Sequence, residues 1–217
     1  MIGLSTQTIA ENVGYIVARP TPAFLLIGGI ILVIALYIGN LIGAHCADKW
    51  KGNTGRVKGV SIAIMGIVTT AALLVYGTSI YTLQAMVLSA VCIYSSYSDL
   101  KSRLLEDFPH YIILVAALIG RNTSDLVEMA IAAAIIGGIM LVVAIVSRGG
   151  GLGGADIKFS AATAFLLGLT RGLAGSIVGL LLAVVIEFVR KKILKKDEGF
   201  PLVPYLSIGF MAAYFIK

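Results

Sequence analysis

Apolar runs about as long as a bilayer is thick dominate the chain, separated by short polar stretches. Residues 23–44 form the first, at about the ~20 residues that a crossing requires. A polar loop follows at 48–58. No charged side chain occurs from Gly59 to Ser98. That length predicts two crossings, 59–75 and 80–98, with the break at Tyr76-Gly77-Thr78-Ser79. A charged loop, 99–107, leads into a shorter run, 108–120. Beyond the polar turn 121–125 lies the fifth run, 126–147. A glycine-rich stretch then opens a second short run, 157–170. The last two runs, 172–189 and 201–216, flank a strongly basic loop, 190–198. The pattern predicts an all-α, polytopic membrane helix bundle of about eight transmembrane segments. Spans four and six are short: their flanking charges snorkel, or they tilt among neighbours, or they are half-helices.

Composition agrees with the pattern. The 217 residues are 59% hydrophobic and 13% charged, against roughly 25% charged in a soluble domain. A soluble globular protein is excluded on that ground. The formal charge of +6 does not point to nucleic acid, because the basic residues are spread over several short loops. In a membrane protein they report topology instead. With alternate loops assigned to alternate faces, 13 of the 17 Lys and Arg residues fall on one side. Arg19, Arg121, Arg171 and Lys217 fall on the other. The excess marks the cytoplasmic side, predicts both termini outside, and brings Asp99 and Asp156 to the cytoplasmic face. Residues 1–19 lack the positive start and the cleavage site of a signal peptide. No loop can hold a soluble domain, so residues 1–217 are expected to form a single transmembrane domain. The lipid bilayer is its expected surround, with anionic head groups attracting each cytoplasmic basic residue by ~1 kcal/mol.

The candidate chemistry centres on Gly149-Gly150-Gly151-Leu152-Gly153-Gly154-Ala155-Asp156-Ile157-Lys158. Five glycines in six residues run into one carboxylate. Flexible backbone at membrane depth belongs where it lines a cavity or a water-accessible site. An acid beside an apolar run is costly and points to function. Asp99 is its counterpart, ending span three as Asp156 starts span six. Two carboxyls held close cannot easily both ionise, so one keeps a proton. The ionised one can take a proton from water as it attacks a carbonyl, and the other can donate one, without a metal. The plain alternative is that each acid is interfacial or ion-paired, as Asp156 with Lys158. Gly153 and Gly154 favour the active reading, since backbone without side chains lets a peptide approach a carboxylate. The remaining acids include loop acids in basic company and Glu187, placed to pair with Arg190 or Lys191. Lys158 has no Gly-Lys-Ser/Thr context, which argues against a phosphate loop. Cys46 and Cys92 form no CxxC pair and read as small buried residues. His45 and His110 are too dispersed for a metal site. No metal or cofactor is expected. Ser95, Ser96 and Ser98 read as small polar residues easing helix contact.

At these residues the chain resembles the type IV prepilin peptidases. Gly153-Gly154-Ala155-Asp156-Ile157-Lys158 is similar to their glycine-x-glycine-aspartate signature, which usually continues into x-Lys. The segment 97–107 resembles the context of their first catalytic aspartate, and Phe200-Pro201-Leu202-Val203-Pro204-Tyr205-Leu206-Ser207-Ile208-Gly209 the segment that opens their last span. Ile38-Gly39-Asn40-Leu41-Ile42-Gly43 resembles, weakly, their first-span motif. The clear resemblance covers residue 91 onward. It implies an aspartic endopeptidase of the inner (plasma) membrane that removes the basic leader of prepilins or pseudopilins. The cut is at the cytoplasmic face, after a glycine and before the hydrophobic helix. Asp99 and Asp156 are then the catalytic pair, and Gly153, Gly154, Ala155 and Lys158 the substrate-binding, backbone-access group. Ala155 stands where the family usually has glycine, and Glu106 where it has proline. The loop 48–58 lacks the paired cysteines of the bifunctional members, so no zinc-bearing insertion and no N-methylation are expected. Glu106, Asp107, Asp197 and Glu198 are candidates for steering a basic leader, or are simply solvated. Two other readings stay open: a glycine-x-glycine-aspartate intramembrane protease with other substrates, disfavoured in its presenilin-like form because Ser98 precedes Asp99, and a non-enzymatic transporter or assembly factor using Asp99 and Asp156 for proton or cation binding.

Overall fold

The computed structural model describes residues 21–146, 152–194 and 201–216, and these are helical almost throughout. Expectations that fall on Met1–Arg19, Arg148, Gly149 to Gly151, Lys195 to Glu198, Phe200 and Lys217 lie outside the described residues. Among the described residues eight helices follow one another: α1 Pro22–Lys49, α2 Thr54–Tyr76, α3 Ile80–Ser102, α4 Phe108–Leu118, α5 Thr123–Val146, α6 Gly154–Leu167, α7 Leu169–Leu194 and α8 Val203–Phe215. Each apolar run contains one helix. Five of them, α1, α2, α3, α5 and α7, are long and apolar enough to cross a membrane, which makes this a multi-pass membrane protein.

Three boundaries differ from the expectation, each for a local reason. Helix α3 continues through Asp99 to Ser102, so Asp99 is in its last turn rather than in a loop. The helix stops where Arg103 turns left-handed, at φ 55°. Spans six and seven divide at Gly168, not near Arg171: Gly168 takes φ 80° and donates to the Ala164 carbonyl at 2.8 Å, and α7 begins at the next residue. Glycine adopts that conformation without the clash a Cβ would bring. Helix α8, at 13 residues, is a third short helix beside α4 and α6. It starts at Val203, whose N–H has no partner inside the helix and goes to Asp99 instead.

The chain divides into two compact units, Met1–Tyr94 with Phe215–Lys217, and Ser95–Tyr214. In the first, α1 opens on a Thr21 cap that accepts the Phe24 N–H at 3.2 Å, with Pro22 in the first turn. It packs closely along α2: a Cβ on Gly43 would lie 2.7 Å from Lys58 Cα, a backbone approach open to glycine alone. Ala35, Met65, Met86 and Ile93 form the core. At the end of α1, Lys49 Nζ donates to Tyr94 Oη at 2.9 Å and lies over the Trp50 ring. Large apolar side chains such as Leu26, Val33 and Ile67 point outward, as lipid-facing residues do.

In the second unit α6 is the central element. It packs against α4, α5 and α7, and half of its residues are buried, Phe159, Ser160 and Thr163 among them. Helix α8 meets α7 along a seam so tight that a Cβ on Gly209 would collide with the Gly175 carbonyl and the Gly179 backbone. Phe210 of α8 stacks edge-on against Phe159 of α6 at 6.0 Å. The Ser96 and Ser207 hydroxyls join α3 to α8 at 3.1 Å, which is the helix-contact role expected of Ser96. The lipid-facing residues include Val127, Ile145, Val184 and Phe188. Glu187 lies 3.8 Å from Arg190 and 4.0 Å from Lys191, as expected.

Candidate active site

Asp99 is buried in the last turn of α3. A carboxyl there needs donors, because an unpaired buried acid is expensive. They come from the start of α8: the Val203 N–H donates to Asp99 Oδ2 at 3.0 Å, and the Leu202 N–H also bonds the carboxyl. The turn after Asp99 is tied down by hydroxyls. Ser98 Oγ donates to the Leu104 carbonyl at 2.6 Å, and Ser102 Oγ to the Ser98 carbonyl at 2.8 Å. These bonds fix the reversal that delivers Asp107 to the start of α4.

Asp156 lies in the first turn of α6, a helix too short to be among the five crossings. Its Oδ2 accepts the N–H of Gly153, the N-cap, at 2.8 Å. This is the side-chain-to-N-cap half of a capping box. Burial pushes the Asp156 carboxyl up to about 6; the Gly153 N–H works against that rise, and the nearby Asp99 carboxylate adds to it. The two acids that the sequence paired are therefore within each other's electrostatic reach.

The other expected site residues fall around this turn. Gly153 and Gly154 are exposed and Ala155 half-buried. A Cβ on Gly154 would meet nothing within 4 Å, and one on Gly153 only Asp156 Oδ2 at 3.5 Å. Packing among the described residues therefore requires neither glycine. Lys158 does not pair with Asp156. Its Nζ lies 2.8 Å from Oδ1 of Asp107, and both side chains are exposed. The hydrogen bond and charge of Lys158 hold Asp107 below the usual carboxylate range. So Asp107, a candidate for steering, is already engaged.

Two features escaped the sequence reading. The donors on Asp99 are backbone groups 104 residues further along; the paired prolines 201 and 204 were the only local sign that this stretch begins a helix in a special way. His110 is buried with neither ring nitrogen hydrogen-bonded, 6.3 Å from the Phe159 ring. A lone histidine on an apolar helix carried no signal.

Chemically, the site joins two carboxyls, one of which holds a proton into the mildly acidic range, to an open stretch of glycine backbone. That combination suits acid–base chemistry on a polymer. The sequence profile of the type IV leader peptidase family matches residues 86–189. No curated protein and no solved structure matches the chain. The matched segment contains both aspartates and the whole of α4, α5 and α6. Residues 86–189 are thus similar to the type IV leader peptidases, a family of proteases, and here they lie in a membrane helix bundle.

Proposed function

We propose that the protein is an aspartic endopeptidase that removes the basic leader of a prepilin or pseudopilin at the cytoplasmic face of the plasma membrane. The cut follows a glycine and precedes the hydrophobic pilin helix. Asp99 and Asp156 act as the pair. The ionised carboxylate takes a proton from water as the water oxygen attacks the scissile carbonyl carbon. The protonated carboxyl gives its proton to the amide nitrogen as the C–N bond breaks. One proton is taken up and one released, so the pair returns to its starting charge after a proton passes between the two acids. The observation that carries this reading is the pairing itself: Asp156 is partly withdrawn from water and feels the Asp99 carboxylate. The open space before Gly153 and Gly154 supports the same reading, since it admits an extended peptide backbone to the first turn of α6.

The test is to replace Asp99 and Asp156 singly with Asn and to follow leader removal from a co-expressed prepilin by its change in gel mobility. Each variant is expected to lose processing by roughly 10²–10⁴-fold, the usual worth of an acid–base group. Full processing by both would falsify the peptidase reading and favour proton or cation binding by the two acids.

A further inference from the structure

The family profile ends at residue 189, so it assigns nothing to α8. We infer that the backbone start of α8 is the positioning element of the active site, with Val203 as a positioning residue that acts through Asp99. This rests on the peptidase reading above.

The hydrogen bonds of the first turn of α8 carry the argument. A helix begins with N–H groups that have no partner inside the helix, and buried ones must find another. Pro204 has no N–H. Tyr205 and Leu206 both donate to the Leu202 carbonyl at 3.1 Å. The N–H groups of Val203 and Leu202 both go to Asp99. Val203 is itself almost fully buried, so no water replaces the acid. The start of α8 therefore closes on Asp99 without a spare donor.

The rest of α8 keeps that start in place. Gly209 lies against the backbone of Gly175 and Gly179, Ser207 bonds Ser96, and Phe210 packs on Phe159. Contacts to α7, α3 and α6 thus hold the helix from three directions. Asp99 sits near the end of α3, whose own reversal is fixed by Ser98 and Ser102. The carboxylate is oriented by another helix, not by its own. A base aimed at a single water gains from such fixed donors, because a misplacement of a fraction of an ångström erodes the alignment on which the rate depends.

The variant that isolates this contact is V203P. Proline is well tolerated at the first helical position; it removes the N–H and replaces the valine side chain with its ring. V203A is the reference, since it trims the same side chain and keeps the N–H. With purified protein in detergent and a synthetic prepilin N-terminal peptide, kcat of V203P is expected to fall roughly 10- to 100-fold below that of V203A, as for a lost hydrogen bond to a charged group. KM should be the same in the two. Equal kcat in V203P and V203A overturns the inference, as does a difference confined to KM. If V203P does not elute as a folded species, the α-hydroxy analogue of valine at 203 replaces it; this removes the same N–H and keeps the side chain. D99N and D156N run in parallel separate the two levels. Full processing by both overturns the peptidase reading, whereas their inactivity with V203P matching V203A overturns only the role of α8.

Discussion

Asp99 and Asp156 both rest at the start of a helix, but not in the same way. Asp156 belongs to the helix whose cap it binds, and its donor, Gly153, is three residues away. Asp99 is held by the start of a different helix, through a donor 104 residues away. The first arrangement survives as long as one turn of α6 survives. The second survives only while α7 and α8 stay packed. One half of the pair is thus a local structure and the other a tertiary one. A perturbation of α8 should reach Asp99 and leave Asp156 in place.

The harshest way to break that contrast is Gly209→Val. A side chain there collides with the backbone of Gly175 and Gly179, and neither can yield as a flexible side chain would. Overpacking at such a seam is expected to cost about 3 kcal/mol or more, read as a lower midpoint of thermal unfolding in detergent. Leader removal should disappear with it. A variant that unfolds at the wild-type temperature would show that the seam tolerates bulk and that Asp99 does not depend on it.

The local half is tested by Asp156→Asn, where stability and activity should move in opposite directions. The carboxyl is raised from 3.8 to about 6 by burial first of all, so the folded state binds its proton more tightly than the unfolded state does. The cost of keeping a charged acid there is absent below about pH 3.8, grows as the pH rises towards about 6, and is complete above it. Asparagine keeps an acceptor for the Gly153 N–H and carries no charge. D156N is therefore expected to be more stable than wild type by about 1–3 kcal/mol at neutral pH, with the gain vanishing on acidification. Unfolding midpoints taken across that pH range check the sign. A constant gain at every pH would show that the carboxyl is not shifted.

This contrast also explains which parts of the molecule could be read from the sequence. The eight apolar runs foretold the eight helices of the described residues because each run is contiguous and most ends are marked by charge, as at Asp48–Lys58, the uncharged break at 76–79 being marked by Gly77. Asp156 was legible for the same reason: its glycines, its cap and its carboxyl lie within four consecutive residues. Two boundaries went astray where a conspicuous charge drew attention from the residue that ends the helix. Arg171 suggested the break that Gly168 makes, and Asp99 suggested an end that Arg103 makes four residues on. The donors of Asp99 were beyond any local pattern. Nothing in residues 97–107 names Val203, and a backbone N–H leaves no residue type by which to find it. Lys158 was read beside Asp156 because the two are adjacent in sequence, but a helix turns such near neighbours to different sides.

Gly154→Ala should produce a smaller effect, again at the local half. A methyl group there meets nothing within 4 Å, and alanine suits a helix better than glycine by up to about 1 kcal/mol. Stability should hold or rise. If a peptide backbone must pass in front of this turn, the same methyl should raise KM, by about tenfold at most for one such group, and leave kcat near its original value. Peptide kinetics with purified protein separate the two constants. An unchanged KM would mean that the substrate does not approach along Gly154.

The smallest effect is expected at Lys158. Its ion pair with Asp107 joins the start of α4 to the first turns of α6, one turn from Gly154. Both side chains are more than half exposed, and exposed pairs contribute little and are screened by salt. Lys158→Gln should leave the unfolding midpoint nearly unchanged. Processing should drop slightly at low ionic strength, and the difference from wild type should close as salt is added, because salt weakens in the wild type the contact that the substitution removes. The α4–α6 ion pair is then a minor brace beside the two aspartates. A loss of processing that persists at every salt concentration would mean that Lys158 works through something other than Asp107. The candidate is the substrate backbone, beside Gly153, Gly154 and Ala155, and in that case the local half of the site extends a full turn further along α6 than its carboxyl.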